Sequence, residues 1–238
     1  MPKYKVLQVC NSDHYLNHFL SPLIVGLNES GMIVDCVCSV DAISSTIVNS
    51  TNKTFNINFP DRILSLSYFR SIYALSKILK NNNYDVVQSH NRNASSVARI
   101  SSFLLSVPIN LYTAHGFYFH DRQSKIAKYL TVQLERILSL ITTYTFSQSS
   151  EDTNFMIDKG YISKAKILTI NNGIPIERFL LKNKRPADDK LKDGKTQYKI
   201  VATGRIVRNK GFADLIKATK LVLSSGTKLD RFKTDDPK

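Results

Sequence analysis

The sequence has 238 residues and contains 33 Lys and Arg against 19 Asp and Glu, which gives a formal net charge of +14. At roughly 150 residues per domain, this length predicts one domain and a piece of another. The hydrophobic fraction of 42% is too high for an intrinsically disordered chain, and no apolar run reaches the ~18 residues that a transmembrane helix needs. We therefore expect a cytoplasmic globular protein whose positive charge favours acidic partners: nucleic acid, anionic lipid or phosphorylated substrates.

Short β-branched runs alternate with longer amphipathic runs along the chain. The first run, 5–9, predicts a buried strand, and a helix is predicted over 17–30 that ends at Gly31. Strands are then predicted over 32–39, 85–89, 109–113, 142–147 and 166–170, and helices over 66–79, 95–105, 124–140 and from Ser149 onward. This alternation predicts βαβ units and an α/β fold with a Rossmann-like, doubly wound parallel sheet.

A change of composition marks a second region of the chain. Residues 182–198 are crowded with charged side chains and contain almost no large apolar residue, which is typical of an exposed interdomain linker. We therefore predict a first domain over 1–181 and a second over 199–238, with a strand over 199–203, a turn and a helix over 212–223. These elements make only the start of a second Rossmann-like domain, so we predict that the second domain is incomplete.

The cysteine and histidine spacings predict no metal site. Cys10, Cys36 and Cys38 lack metal-type C-x-x-C spacing, and the last two share one face of a predicted strand, so we interpret all three as reduced core thiols. His14 and His18 have no zinc-protease spacing and are interpreted as surface residues.

In open parallel sheets, ligands bind at the carboxyl ends of the strands. His115 follows the predicted strand over 109–113, and Gly116 would let the backbone approach a ligand closely. His90 borders the same cleft at the end of another strand. A structural histidine is the alternative at both positions, and we favour it at His90. Asn172 and Gly173 follow the strand over 166–170; they signal a turn first, and their amide groups could face a sugar or a phosphate.

A basic turn near the start of the second region is the remaining candidate. It runs from the predicted strand over 199–203 into the helix over 212–223 and carries Arg205, Arg208 and Lys210. Guanidinium and ammonium groups near a helix N-terminus suit a diphosphate. An ordinary basic turn is the alternative reading.

Several well-known motifs are absent from the sequence. It has no G-x-G-x-x-G, no Walker A, no G-x-S-x-G and no D-x-D. This weighs against dinucleotide oxidoreductases, P-loop NTPases, α/β-hydrolases and metal-dependent sugar transfer. We expect neither a bound cofactor nor a metal.

Four motifs in order resemble those of the family 4 glycosyltransferases. They are YTAHGF at 112–117, FSQS at 146–149, NGIPIERF at 172–179 and GRIVRNKG at 204–211. The segment FLSPL at 19–23 also resembles the first helix of members that act on lipid-linked sugars. Each motif alone is weak, whereas four in the right order over residues 1 to about 220 make a specific match.

The resemblance implies a GT-B fold, in which two Rossmann-like domains face each other and the N-terminal one holds the acceptor. It implies that Arg205 and Lys210 bind the donor diphosphate, and that His115 contacts the donor sugar. Gly116, Asn172, Gly173 and His90 are the further candidates for substrate binding. The implied reaction is a retaining, metal-independent transfer from a nucleotide sugar to a lipid-linked or polysaccharide-precursor acceptor, on the inner face of the membrane.

The sequence departs from the family where the second domain should continue. The family's Glu-x7-Glu element is missing, so a truncated or frameshifted gene, or a fragment, is expected. A UDP-sugar epimerase of the same superfamily is the first alternative, with Asp13 or Asp121 as its acidic residue. A non-catalytic basic remnant is the second; nucleic acid binding is not expected, because no recognition helix or RNA-binding signature is present.

Overall fold

The computed structural model describes residues 4–39, 45–60, 65–117, 125–173, 200–204, 206–207 and 210–224. The chain divides into two units, Met1–Ile174 and Pro175–Lys238. The predicted linker over 182–198 lies outside the described residues, so the domain boundaries stay a prediction.

A seven-stranded, fully parallel sheet forms the first unit, in the order β3-β2-β1-β4-β5-β6-β7. The strands are β1 (Lys5–Val9), β2 (Ile33–Cys38), β3 (Lys53–Asn56), β4 (Val86–His90), β5 (Ile109–Ala114), β6 (Tyr144–Ser147) and β7 (Ile167–Thr169). The order runs outward in both directions from the neighbours β1 and β4. This confirms the predicted α/β, doubly wound architecture and places its switch point between those two strands.

Helices connect the strands and cover parts of both faces of the sheet. They are α1 (Asp13–Tyr15), a π-helical turn (Leu16–Leu20), α2 (Ser21–Glu29), α3 (Ser45–Ser50), α4 (Leu66–Asn82), α5 (Arg92–Leu104), α6 (Lys125–Leu140), α7 (Ser150–Asp158) and a short 3₁₀ helix (Lys164–Lys166). One core contains α2 and α3 residues on the β1–β2 side, where Cys10, Cys36 and Cys38 are buried and free as predicted. A second core contains α4 and α5 residues against β1 and β4, and a third contains residues of β5, α7 and β7.

Two features near the N-terminus differ from the predictions. The helical region expected over 17–30 begins earlier, at Asp13, because the Ser12 hydroxyl accepts a hydrogen bond from the Tyr15 N–H and caps it. Helix α3 and strand β3 were not predicted, because both are short and β3 is a polar edge strand with no buried residue. The helix does end before Gly31, which has a left-handed φ of 83°.

In the second unit, helix α8 (Phe212–Ser224) confirms the prediction over 212–223. The predicted strand over 199–203 is wrong for its described part, since residues 200–203 form no strand. Ile200 and Val201 are 66% and 82% exposed. A strand needs a hydrogen-bonded neighbour to be stable, and the described residues of this unit supply none.

Candidate functional site

Two histidines meet at the carboxyl edge of the sheet, beside the switch point. His90 is the last residue of β4, and His115 directly follows Ala114, the last residue of β5. The pairing of His90 with Thr113 in the β4–β5 register brings the two rings together. The His90 Nδ1 and His115 Nε2 atoms lie 3.1 Å apart, within hydrogen-bonding distance.

A row of polar side chains continues inward from this histidine pair. The His90 Nε2 lies 2.9 Å from the Gln8 Oε1, the Gln8 amide nitrogen donates to the Gln88 Oε1 at 3.0 Å, and the Gln88 amide nitrogen donates to the Thr113 hydroxyl at 3.0 Å. We call Thr113, Gln88, Gln8, His90 and His115 the polar row. Gln8 and His90 are almost completely buried, and the row gives each of them the partners that a buried polar group requires.

The ring of Tyr15, from α1, packs against the rings of both histidines. Its ring meets the His115 ring edge-on at 5.1 Å between centroids and lies 6.3 Å from the His90 ring. The Ser12 cap fixes the start of α1 and therefore the place of Tyr15. The segment after β1 thus positions Tyr15, whose ring packs against the two histidines.

The loop after His115 depends on a glycine and on helix α7. Gly116 has a φ of +106°, a conformation that strains any residue with a Cβ. The next backbone N–H, that of Phe117, donates to the Asp152 carboxylate at 3.2 Å. Asp152 is in the first turn of α7, which Ser149 caps as the sequence predicted.

A buried ion pair between two helices supports the loop that carries His115. Arg99 on α5 and Glu135 on α6 form two hydrogen bonds of 3.0 and 3.3 Å, and both side chains are at most 5% exposed. The Arg99 guanidinium also stacks over the Tyr112 ring at 4.1 Å, and Tyr112 meets Phe117 edge-on. The packing therefore links α5, α6 and β5 to the loop that carries His115.

Both histidines are neutral at ordinary pH. Burial lowers the pKa of His90 to about 3, and the nearby His115 acts in the same direction. Desolvation also lowers the pKa of His115, although this residue is exposed at the sheet edge. A neutral imidazole can donate one hydrogen bond and accept another, so His115 is suited to orienting a hydroxyl group.

The remaining predicted site residues are less well defined by the structure. Asn172 and Gly173 are exposed just beyond β7, at the same edge of the sheet as His115. Lys210 is exposed in the second unit, and Arg205 lies outside the described residues. Their binding roles, and a direct substrate contact by the buried His90, stay predictions.

The other histidines and the acidic candidates can also be placed. His14 and His18 are exposed, as predicted. Asp13 is half-buried at the start of α1, and Asp121 lies outside the described residues. Within the described ranges, no group of three or more His, Cys, Asp or Glu side chains could hold a metal ion.

Sequence reasoning missed Gln8, Gln88, Tyr15 and Asp152. One signal was available: Gln8 interrupts the otherwise apolar run from Val6 to Val9. A glutamine inside a buried strand requires a hydrogen-bonding partner. The sequence offered no means of identifying that partner, which lies 80 residues away.

Fold and site together define an α/β chain with a histidine–glycine loop at the carboxyl edge of its parallel sheet. The family model described as "Glycosyl transferase 4-like" matches residues 5–148, which is more than half of the chain. The chain belongs to this glycosyltransferase family.

Two curated relatives are similar over about three-fifths of the chain. The UDP-Gal:alpha-D-GlcNAc-diphosphoundecaprenol alpha-1,3-galactosyltransferase of Escherichia coli is 28% identical over 147 residues, which cover 61% of this chain and 38% of the relative. The capsular polysaccharide biosynthesis glycosyltransferase CapM of Staphylococcus aureus is 27% identical over 146 residues, which cover 59% of this chain and 38% of that protein. The chain therefore spans about two-fifths of the length of these relatives.

Solved structures show the same fold. A glycosyltransferase from Rickettsia africae has a TM-score of 0.57 at 14% identity, and the match covers 78% of this chain and 47% of that one. A UDP-N-acetylglucosamine 2-epimerase has a TM-score of 0.56 at 12% identity, over 72% and 47%. At these identities the likeness concerns the fold alone, which both enzyme classes share.

Proposed function

We propose that this chain is the acceptor-side part of a retaining, metal-independent glycosyltransferase. It would transfer a sugar from a nucleotide sugar to a lipid-linked or polysaccharide-precursor acceptor. The observation that carries the proposal is the neutral His115, held on a glycine-containing loop at the carboxyl edge of a doubly wound sheet. The names of the two relatives support the acceptor class, since one acts on a diphosphoundecaprenol sugar and the other serves capsular polysaccharide synthesis.

In the proposed reaction, the bond between the anomeric carbon and the donor diphosphate breaks. The acceptor hydroxyl oxygen forms the new bond on the same face of the sugar, and its proton passes to the departing diphosphate. His115 contacts the donor sugar and orients it by hydrogen bonding. Arg205 and Lys210 bind the diphosphate and stabilise its developing charge, while Gly116, Asn172 and Gly173 complete the substrate contacts and the buried His90 supports His115.

A UDP-sugar epimerase is the second candidate, since a 2-epimerase shares the fold, although that likeness does not distinguish the two activities. It would require acidic catalytic residues in the first unit. Asp13 lies at the start of α1, where its carboxylate accepts a hydrogen bond from the backbone N–H of His14. The family match supports transfer rather than epimerisation.

Product analysis separates the two candidates. Because the described part of the second unit contains one helix and no strand, transfer by the 238-residue protein is expected to be slow. The purified protein is therefore incubated for long times with UDP-sugars labelled in the sugar, with and without a polyprenyl-diphosphate-sugar acceptor. The proposal predicts label in the lipid product only when the acceptor is present. A change of sugar configuration without acceptor would support the epimerase instead, and the absence of both products would contradict the proposed transferase.

We also propose that the first unit binds an anionic membrane surface through α6. Apolar side chains three and four residues apart form an exposed stripe on this helix, each 61–74% exposed: Ile126, Tyr129, Leu130, Ile137 and Leu140. Lys125 and Arg136 on the same helix are exposed as well. The apolar stripe would insert into the lipid surface, and the basic side chains would attract anionic headgroups. None of the described helices is long and apolar enough to cross a membrane.

Vesicle co-sedimentation tests this membrane proposal. Leu130→Glu should lower binding to anionic vesicles about tenfold, because burial of a Leu side chain contributes about 1.5–3 kcal/mol. The matched control is Tyr73→Glu on α4, since Tyr73 is also highly exposed but lies away from the stripe. Binding of the wild-type protein should fall as salt rises. Equal loss in both variants, or equal binding to neutral vesicles, would contradict the proposal.

A further inference from the structure

The polar row is an unusual feature for the middle of a parallel sheet. Gln8 and Gln88 face each other as register partners on β1 and β4. Buried parallel strands are normally apolar, and two apolar side chains would fill these positions without any need for partners. The five members of the row are instead joined by four successive contacts of 2.9–3.1 Å.

The row has a direction, because each amide has one donor end and one acceptor end. In the structure, Gln88 donates to Thr113 and Gln8 donates to Gln88, so the oxygen of Gln8 is turned towards His90. The His90 Nε2 must therefore carry the proton, which leaves its Nδ1 as an acceptor. A neutral His115 then donates through its Nε2–H to the His90 Nδ1.

The direction of the row matters because His115 has a second hydrogen-bonding neighbour, Gln148. The side chain of Gln148 also hydrogen-bonds that of His115. If the Gln148 oxygen accepted from the ring, it would favour the opposite tautomer, with the proton on Nδ1. Two sets of neighbours therefore act on the tautomer of His115, and only the polar row is anchored in the core of the sheet.

We propose that Gln8 and Gln88 are positioning residues that set the tautomer of His115, although neither touches it. Through His90, they hold the proton of His115 on Nε2 and leave Nδ1 as the acceptor nitrogen. Resting on the proposed function, this inference assigns to His115 the role of accepting a hydrogen bond from a sugar hydroxyl. It also explains why His90 is buried beneath His115 rather than exposed in the cleft.

The tautomers can be read directly by long-range ¹H–¹⁵N correlation spectra of the histidine rings in the full 238-residue protein. In the wild type, His90 and His115 should both show a protonated Nε2 and an unprotonated Nδ1 at neutral pH. In Gln88→Met, the population ratio of the His115 tautomers should shift about fivefold towards Nδ1–H, which is the order set by one net hydrogen bond. Gln133→Met on α6 is the matched control and should leave the ratio unchanged.

A conservative variant separates positioning from mere structural support. In Gln88→Glu both carboxylate oxygens accept hydrogen bonds, so the amide of Gln8 must keep its orientation. The half-buried site tolerates this change better than a fully buried one would. Gln88→Glu should therefore retain the wild-type tautomer of His115 even if it lowers stability.

Two results would overturn the inference. One is a wild-type His115 protonated on Nδ1, and the other is a Gln88→Met protein that stays folded with an unchanged tautomer ratio. The spectra need no substrate, so they test the row even if the proposed transferase function fails. If the function holds, Gln88→Met should also reduce sugar transfer, whereas Gln133→Met should not.

Discussion

Replacing Glu135 by Ala is expected to lower the free energy of unfolding of the first unit by about 3–5 kcal/mol. Glu135 forms two hydrogen bonds to the guanidinium of Arg99, which is only 1% exposed. The substitution would leave this cation buried without a counter-charge. It would also loosen the support that Arg99 gives to Tyr112, beneath the loop of His115.

Urea unfolding followed by circular dichroism measures this loss. Glu29→Ala is the control, because Glu29 is exposed at the end of α2 and its removal should change stability by only about 0.5 kcal/mol. The double variant Arg99→Met with Glu135→Leu removes both charges and should recover most of the stability. A loss below about 1 kcal/mol in Glu135→Ala would show that the ion pair does not hold the helices together.

Acidification should destabilise the protein through His90. Its folded-state pKa of about 3 lies below the ordinary histidine value of about 6.5. Between these pH values the unfolded chain binds a proton that the folded chain excludes. The contribution of His90 is therefore fully present above about pH 6.5 and falls by about 1.4 kcal/mol per unit as the pH decreases towards 3.

The measurement compares the pH dependence of unfolding in wild type, His90→Gln and His14→Gln. Carboxylates titrate in all three proteins, so their effects cancel in the differences. Between pH 6.5 and 4.5, the stability of the wild type should fall more steeply than that of His90→Gln. Replacement of the exposed His14 should leave the slope unchanged. Parallel curves for wild type and His90→Gln would show that His90 is already charged in the folded state.

Much of the sheet could be predicted because its strands are buried on both faces. Runs such as that from Val6 to Val9 are apolar except for Gln8, and the amphipathic runs between the strands have helical periodicity. The edge strand β3 carries no such signal. The short run over 199–203 shows the opposite failure: its composition suits a strand, but the described part of the second unit contains no strand with which it could pair.

The position of His115 was predictable, but its environment was not. The end of a strand can be located from local pattern, and the carboxyl edge follows from the parallel topology. The contacts of Gln8 with Gln88 and His90 join residues 80 and 82 positions apart. They depend on the register between β1 and β4, which no local pattern specifies. The same holds for the pair of Arg99 and Glu135, which unites two helices.

The most direct test of the central claim is the effect of His115→Ala on sugar transfer from UDP-sugars to a polyprenyl-diphosphate-sugar acceptor. If His115 orients the donor sugar, the rate should fall by a factor of about 10² or more, as it does when a transition-state hydrogen bond is removed. His14→Ala, which changes an exposed histidine of α1, should transfer at the wild-type rate. Equal rates in wild type and His115→Ala would contradict the assignment of this loop as the sugar-binding site.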